Sequence, residues 1–487
     1  MIRIPKSLSL RLILFYGISV VFILLIVGFF GKKESYLFSA MPFLFALVLM
    51  AIFSADKLLW LVVLFTPLSM PLTYFFPGLS LNLFLPTEPL LFGILLLYIL
   101  KLSTGYRPEK AFLKHPVTIA AGIYLLWILI TSITSTMPLV SIKFWIVKIW
   151  FIVGFYMMGI QLFENRINYP RLVWFYTGSL ILVIGYTTAR HLGYGLFDKQ
   201  AAHFVMNPFY NDHTSYGAVI AMFIPFLAIF SFSSFYKPII RWVARVFLLI
   251  LVMAFFLSYA RAAWISLMAA FGVWIIIKLR IRFRTMAIFT ISVLALVLVF
   301  QKQLVMYLER NNEESSANLI EHFSSISNIS SDASNLERIN RWSCAIRMFE
   351  ERPVFGFGPG TYMFRYAPYQ LTRERTIIST NAGDLGNAHS EYLGPLAESG
   401  LLGMLTFLAL VLTVLHTAFR TYSKLEDPRL KACLLGAILG LITYYIHGFM
   451  NNFLDTDKAS VPFWGFTAMI VSLDLLSRKM AQLKKTD

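Results

Sequence analysis

The residue with the clearest chemical potential is a histidine in a short polar stretch. His389 lies in NAHSEYLGPLAESGLLG, residues 387–403, directly before a run with the apolar pattern of a helix. Because an imidazole titrates near neutrality, it can take a proton from a hydroxyl group during group transfer. A surface or helix-capping histidine is the alternative interpretation. The competing candidates, in less ordered settings, are His191, His203, His213, His322 and His447.

Four arginines are candidates for binding a phosphate group. Arg261 is the charged residue of SYARAAWISL, between two apolar stretches, where an arginine is costly unless it has a function. Arg338 and Arg341 share a face of a helical pattern, and Arg190 follows another apolar stretch. A guanidinium group binds two phosphate oxygens at once, which lysine cannot do. The alternatives are an interfacial anchor for Arg261 and a solvated helix face for the loop arginines.

Other motifs narrow the chemistry. Lys148 lies inside an apolar stretch, and its role stays open between neutralising a lipid-linked phosphate and pairing with a buried acid. The segment FGFGPGTYMFRY does not have the G-x-G-x-x-G spacing of a nucleotide loop, so it is interpreted as a turn. Residues 305–391 contain no D-x-D pair and no His/Asp cluster. The sequence therefore predicts a site without a metal or a cofactor.

The elements that must hold these residues are helices that cross a membrane. The chain of 487 residues is 58% hydrophobic and 14% charged, whereas soluble chains are usually about 25% charged. Apolar stretches of about 17–25 residues recur, which is the length that a helix needs to cross the hydrocarbon core. They predict an all-α polytopic membrane protein with about 14 (12–14) transmembrane helices. The expected spans are 12–30, 36–53, 58–75, 89–100, 117–134, 144–163, 172–188, 214–235, 243–259, 262–278, 285–304, 394–417, 432–450 and 462–477.

Charge predicts the orientation of these helices. Basic segments alternate along the chain, for example at residues 101–115, 164–171, 278–284 and 420–431, and the positive-inside rule assigns them to the cytoplasm. Both termini are then cytoplasmic, and the candidate arginines and His389 lie on the opposite face of the membrane. The same bias explains the net charge of +17 without a nucleic-acid partner, and membrane lipids are the expected surroundings.

One long segment interrupts the series of spans. It divides the chain into a transmembrane bundle at 1–304, an extracytoplasmic loop domain at 305–393 and further transmembrane helices with a tail at 394–487. Loops of this length without a function are uncommon. The apolar residues at helical spacing in it are Leu336, Ile339, Trp342, Ile346 and Phe349. They predict an amphipathic helix that ends at Pro353.

Together these motifs resemble those of a known enzyme family. Arg338 begins an R-x3-W motif, GFGPG follows it, and His389 begins the motif H-S-x9-G-x-x-G. The arrangement is similar to that of the O-antigen ligase and O-antigen polymerase superfamily of bacterial membrane glycosyltransferases. SYARAAW is similar to the S-R-G-A-W segment of that family, with Ala262 at the usual glycine position. These motifs cover residues 258–266 and 338–410.

The resemblance implies a fold of the glycosyltransferase C type in the bacterial inner membrane, with an active site of periplasmic loops and helix ends. The donor would be a glycan on undecaprenyl pyrophosphate, and the acceptor would be a sugar hydroxyl, on lipid A-core for a ligase. Arg261 and Arg338 would contact the pyrophosphate, and His389 would be the catalytic base of an inverting transfer. Arg341 and Arg190 are added to the pyrophosphate site from their spacing and predicted side of the membrane.

The acceptor distinguishes three enzymes that the sequence leaves open. An O-antigen ligase is preferred; a polymerase would use a second lipid-linked glycan, and a protein O-oligosaccharyltransferase would use a protein. A lipid-glycan flippase or other transporter is the main alternative of another class, because the number of spans fits it too. A transporter is expected to contain an internal repeat with interrupted helices, and the sequence shows none. A structural membrane scaffold is the remaining alternative.

Overall fold

The computed structural model describes residues 54–76, 83–280, 333–376 and 386–486, together with residues 16–17 and 19–20 and positions 50, 78 and 379. The spans expected at 12–30, 36–53 and 285–304 lie wholly or almost wholly outside these residues. The long helices are α1 (Ala55–Phe65), α3 (Thr87–Ser103), α5 (Pro116–Ile133), α6 (Pro138–Phe151), α8 (Asn168–Tyr194), α9 (His213–Phe232), α10 (Pro238–Leu257), α11 (Arg261–Lys278), α12 (Ala333–Glu351), α14 (Leu393–Lys424), α15 (Pro428–His447) and α16 (Asp457–Thr486).

Short elements connect them. The short α-helices are α2 (Leu72–Phe75), α4 (Lys110–Leu113), α7 (Met158–Leu162) and α13 (Tyr362–Arg365), and a π-helical turn, Ile152–Met157, joins α6 to α7. The 3-10 turns are Ala201–His203, Ala367–Tyr369 and Thr372–Glu374. Two strands, β1 (Met70–Pro71) and β2 (Phe84–Leu85), pair antiparallel with Met70 opposite Leu85.

Nine helices within the described ranges are long and apolar enough to cross a membrane. They are α5, the continuous helix Pro138–Leu162, α8, α9, α10, α11, α14, α15 and α16. Each corresponds to a span that the hydropathy predicts, so the all-α polytopic architecture is confirmed. The total of about fourteen stays a prediction. The centre of the bundle is formed by α9, α15 and α16, which have the largest buried fractions of the nine.

One predicted span is wrong in its extent. The hydropathy predicts a single helix over 58–75, but α1 ends at Phe65 and the chain continues through β1 into the short α2. Pro67 and Pro71 explain the break, because proline has no N–H to donate and its ring clashes with the preceding turn. At 89–100 the helix is longer than expected, since α3 covers Thr87–Ser103.

The helix predicted in the loop domain forms, but it packs through a different face. α12 covers Ala333–Glu351, as its spacing predicts. However, Ile339 and Ile346 of the apolar stripe are 38% and 44% exposed, whereas Glu337 and Arg341 are almost fully buried. The apolar stripe is therefore only partly turned toward the interior. Tertiary partners of the two charged residues, described below, decide which face of α12 is turned inward.

The glycine-rich segment is a turn, as predicted, and it packs against the N-terminal part of α14. Gly356 and Gly358 have positive φ values of 66° and 114°. The amides of Phe357 and Gly358 donate to the carbonyls of Ala397 and Glu398, at 3.1 and 2.7 Å. A Cβ at Gly356 would lie 2.3 Å from the backbone carbon of Glu398. The loop domain is thus attached to α14 by backbone contacts that only glycine allows.

The helix that follows His389 is interrupted where this turn docks. Gly400 in α14 has φ 69° and ψ −170°, outside the helical region. A Cβ added there would lie 2.1 Å from the carbonyl oxygen of Val354, and one added at Gly403 would lie 2.4 Å from the Cβ of Ser399. Both glycines of the H-S-x9-G-x-x-G motif are therefore close-packing positions, as the sequence suggests.

Gly400→Ala is expected to destabilise the protein by at least ~1–3 kcal/mol, because the side chain would strain a left-handed backbone and collide with a carbonyl group. Thermal unfolding of the purified protein in detergent measures the effect. Gly272→Ala is the matched control, since nothing lies within 4 Å of its added Cβ. Equal melting temperatures for the two variants would contradict the close packing at Gly400.

Candidate active site

The segment that carries His389 is fixed by the carboxylate next to it. Glu391 accepts hydrogen bonds at Oε1 from the hydroxyl of Tyr444 at 2.6 Å and from the amides of Phe453 and Leu454 at 2.7 and 2.8 Å. Its own amide donates to the carbonyl of Gly448 at 2.8 Å. These four bonds join the end of α15 and the turn after it to residues 389–391. We call this arrangement the Glu391 clamp.

His389 itself has a constrained backbone. Its φ of 47° lies in the left-handed region, which is uncommon for a residue with a Cβ. The amide of His389 donates to Oδ1 of Asn387 at 3.0 Å, and the indole Nε1 of Trp342 donates to its carbonyl at 3.3 Å. The R-x3-W tryptophan thus contacts the H-S histidine directly. Strained backbone held by its surroundings is common at active sites.

Arg261 is placed by a tight turn between α10 and α11. Tyr259 has φ 49°, and Arg261 is the first residue of α11. The turn packs closely on α9, because a Cβ at Gly217 would lie 2.6 Å from the Cβ of Ala260. This contact places Arg261 beside the N-terminus of α9. There the carboxylate of Asp212 caps the helix, accepting a hydrogen bond from the amide of Ser215 at 2.7 Å.

Arg338, which belongs to α12, lies near Arg261. Burial and the positive charge of Arg261 lower the pKa of Arg338, while the carboxylate of Asp212 acts in the opposite sense. A guanidinium group that lowers the pKa of another one lies close to it in space. The structure therefore brings Arg261 and Arg338 together, near Asp212 at the N-terminus of α9.

The histidine experiences the same positive charge. Burial and the positive charges of Arg338 and Arg341 together lower the pKa of His389 to about 4, against a smaller opposing contribution from Asp212. At neutral pH the imidazole is consequently neutral and has one nitrogen lone pair to offer. Arg261, Arg338 and His389, predicted from three separate sequence motifs, belong to one cluster.

The side chain of Arg341 is buried and contacts Glu337 and Tyr366. Its Nε lies 2.6 Å from Oε1 of Glu337, one turn earlier on α12, and its guanidinium stacks 3.9 Å from the ring centroid of Tyr366. Hydrogen bonds from Ser379 and Arg341 lower the pKa of Glu337, although burial opposes them. Arg341 therefore orients α12 and adds to the positive charge near His389 through its position.

Arg190 and Lys148 lie in other environments. Arg190 donates to the carbonyls of Val205 and Asn207, at 3.1 and 2.5 Å, and so fixes the connection between α8 and α9. Lys148 donates to the carbonyl of Leu454 at 2.7 Å. Buried acids share a cavity with Lys148, but it forms no ion pair with them in the part of the chain that the structure describes, so both of its roles stay open.

Those acids line a cavity beside the histidine segment. The cavity has a volume of about 180 Å³, and Lys148 lines it together with Glu391, Glu398 and Asp455. His389 does not line it, although its neighbours Ala388 and Ser390 do. One lysine among three carboxylates leaves this cavity without the positive charge that a phosphate group requires. It is separate from the arginine cluster.

The structure adds polar residues near the histidine segment, of which the sequence names only His447, as a competing candidate. Asn451 and His447 are 3% and 1% exposed, and Nδ2 of Asn451 lies 3.1 Å from Nε2 of His447. Asn451 also lies near the side chain of His389. Asp212, the third addition, could have been suspected from its position as a helix cap before α9. Within the described ranges, no group of three or more His, Cys, Asp or Glu residues is arranged to hold a metal ion.

Comparison with known proteins agrees with the motifs. Residues 246–408, about a third of the chain, match the sequence profile of a family described as O-antigen ligase. A protein of Haemophilus influenzae described as uncharacterized is 24% identical over 243 residues, which are 46% of this chain and 54% of that protein. The chain thus spans about half the length of this relative. The matched segment includes Arg261, Arg338 and His389 but ends before His447 and Asn451.

Proposed function

We propose that this chain, which residues 246–408 assign to the O-antigen ligase superfamily, transfers a glycan from undecaprenyl pyrophosphate to a sugar hydroxyl. It is a multi-pass membrane protein, since the family match is combined with nine apolar helices in the described ranges. In this proposal the bundle lies in the bacterial inner membrane with both termini in the cytoplasm. The arginine cluster and His389 then face the periplasm.

The observation that carries the proposal is the cluster of Arg261, Arg338 and His389. The leaving group of such a transfer is a lipid pyrophosphate, on which negative charge grows as the glycosidic bond breaks. Two fixed guanidinium groups stabilise that charge without having to reorganise during the reaction. The neutral imidazole beside them can accept a proton. The cluster therefore combines the two functions that the reaction needs.

The transfer is proposed to proceed in a single displacement. As the acceptor hydroxyl oxygen forms a bond to the anomeric carbon, the bond from that carbon to the pyrophosphate oxygen breaks. The hydroxyl proton moves to the free nitrogen of His389, and the lipid pyrophosphate leaves with the electron pair of the broken bond. The imidazolium later returns its proton to water. Attack opposite to the leaving group inverts the anomeric centre.

The acceptor distinguishes the proposed ligase from its two closest alternatives. With a purified lipid-linked donor, a ligase transfers the glycan to lipid A-core, a polymerase transfers it to a second lipid-linked glycan, and a protein O-oligosaccharyltransferase transfers it to a protein. Offering the three acceptors separately to the purified protein tests the proposal. We expect product with lipid A-core. Failure with all three acceptors would contradict glycan transfer.

The rate of transfer is expected to stay constant as the pH varies around neutrality, because burial, Arg338 and Arg341 lower the pKa of His389 to about 4. The neutral imidazole can act as a base above that pKa. It is protonated as the pH falls below that pKa, and the activity is then lost. An ordinary histidine would instead produce a decline near pH ~6.5. The rate measured at saturating substrate from pH ~4 to ~8 tests this prediction, and a midpoint near ~6.5 would contradict it.

A further inference from the structure

We infer that the cavity beside the histidine segment binds one sugar ring of the glycan acceptor, through hydrogen bonds to the free hydroxyl groups of that ring. The inference rests on the proposed function, because it names the place where that reaction holds its acceptor. It gives Lys148 and Tyr124 a part in binding this sugar. For Lys148 that part differs from both roles that the sequence leaves open.

The cavity lies between the membrane helices and the loop domain. Tyr124 of α5 and Lys148 of α6 line it from the bundle, and Tyr362 lines it from the loop domain. Ala388 and Ser390, the two chain neighbours of the proposed base, line a third side. Its volume of about 180 Å³ is far larger than the ~10–15 Å³ that one buried water needs. The cavity therefore has room for a small organic ligand next to the histidine segment.

Lys148 has hydrogen-bonding capacity that the protein does not use. It lies ten residues beyond Pro138, which is ~15 Å along α6 at about 1.5 Å per residue. Lys148 is 5% exposed, and among the described residues it makes one hydrogen bond, to the carbonyl of Leu454 at 2.7 Å, and no ion pair. An ammonium group carries three N–H donors. Two donors are therefore available at a depth where an ionisable residue is costly and commonly marks a substrate site.

Tyr124 also has an unused donor at this cavity. It is 6% exposed, yet its hydroxyl group makes no hydrogen bond to any residue that the structure describes. Its ring packs against Phe407, with the two centroids 5.7 Å apart, so the side chain is held in place. A buried hydroxyl group without a partner is unfavourable. A ligand in the cavity would provide that partner.

Hydrogen-bond acceptors line the same cavity. Glu398 and Asp455 contribute carboxylates, and Oε1 of Glu398 is fixed by the amide of Tyr362 at 2.9 Å. Oδ1 of Asn452 is buried and has no hydrogen-bond partner among the described residues. Because a hydroxyl group both donates and accepts hydrogen bonds, a cavity with unused donors and acceptors suits a ring that carries several hydroxyl groups. A sugar is such a ring.

The charge and the position of the cavity favour the acceptor over the donor. One lysine among three carboxylates disfavours a pyrophosphate, which the proposed mechanism assigns to Arg261 and Arg338. The acceptor must reach His389 from a side that the leaving group does not occupy, because displacement requires attack opposite to the bond that breaks. The cavity meets both conditions, since Ala388 and Ser390 line it and neither arginine does.

Tyr124→Phe and Lys148→Met test the inference. Tyr124→Phe removes a hydroxyl group that has no partner among the described residues, so its melting temperature should not change. We expect KM for the acceptor that supports transfer to rise ~3–10-fold, the effect of losing one neutral hydrogen bond. Lys148→Met removes a charged donor, and the same KM should rise ~10–100-fold. In both variants KM for the lipid-linked donor should stay within about twofold of its original value.

Tyr98→Phe and Lys143→Met are the matched controls. Tyr98 is a buried tyrosine of α3 whose hydroxyl group also has no hydrogen-bond partner within the described ranges, and it does not line the cavity. Lys143 is an exposed lysine of the same helix as Lys148. Both controls should leave both KM values unchanged. If Tyr124→Phe and Lys148→Met raise KM for the donor as much as KM for the acceptor, or raise neither, the inference is wrong.

A second measurement does not depend on transfer. The probe is the core oligosaccharide freed of lipid A, titrated into the purified protein in detergent and followed by saturation-transfer NMR. We expect saturable binding by the unchanged protein and by His389→Ala, and at least ~10-fold weaker binding by Lys148→Met. No binding by the unchanged protein, or equal affinity in Lys148→Met, would overturn the inference. If binding responds as expected but no acceptor receives a glycan, the proposed function fails instead.

Discussion

Replacing His389 by alanine is expected to abolish glycan transfer, with a loss of at least ~10²-fold, because a positioned general base typically contributes ~10²–10⁴-fold. The hydroxyl proton would then lose the base that the proposed mechanism assigns to it. Purified His389→Ala protein, supplied with the lipid-linked donor and lipid A-core, provides the measurement. Its insertion and amount should be normal, since the backbone of this segment is held by Glu391 and Trp342.

The control for this experiment is another histidine of the neighbouring helix. His416 lies on an exposed face of α14, and His416→Ala should retain full activity. Binding of the lipid-linked donor to His389→Ala should also persist, because Arg261 and Arg338 are unchanged. A His389→Ala protein that transfers glycan at the original rate would remove this residue from the mechanism.

Arg261→Lys and Arg338→Lys are expected to lower transfer by about 10²-fold or more, the scale of losing one preorganised donor to a growing anion. Lysine keeps the charge but not the planar pair of N–H groups that binds two phosphate oxygens together. The maximal rate and the donor KM should both be measured. A group that stabilises only the transition state changes the rate, whereas one that binds the ground state equally changes KM.

Arg365→Lys is the control for these two substitutions. Arg365 also belongs to the loop domain, and its one hydrogen bond among the described residues, to the carbonyl of Thr136 at 3.5 Å, is long. It should therefore tolerate lysine. If lysine at positions 261 and 338 supports transfer as well as arginine does, the bidentate contact with pyrophosphate is wrong. The charge alone would then be sufficient.

The helices could be predicted from the sequence because hydropathy is a local property. Nine spans follow from apolar stretches of sufficient length, and α12 follows from its spacing. The orientation of α12 could not be predicted in this way. Its apolar stripe is partly exposed, while Glu337 and Arg341 are buried by Ser379 and Tyr366, which lie 25–42 residues further along the chain. Periodicity identifies two faces of a helix and does not indicate what packs on either.

The candidate site could be predicted in part. Arg261, Arg338 and His389 are charged or titratable residues in unusual sequence positions, and their motifs resemble one family. Asn451 has no such signal, since an asparagine after an apolar stretch is ordinary in a loop. It comes near the histidine segment only because the Glu391 clamp joins the turn at 448–454 to that segment. Arg190 and Arg341 are the same residue type as Arg261 and Arg338, and only the structure shows that they contact carbonyl groups and Glu337.

The Glu391 clamp also determines when the site can become competent during biosynthesis. A chain is made from its N-terminus, so Arg261, Arg338 and His389 leave the ribosome before Tyr444 and Leu454 exist. Until α15 and the turn after it have been synthesised and inserted, the carboxylate of Glu391 has none of its three donors. The bonds that fix the segment of His389 therefore form only after α15 and the turn that follows it have been made and inserted.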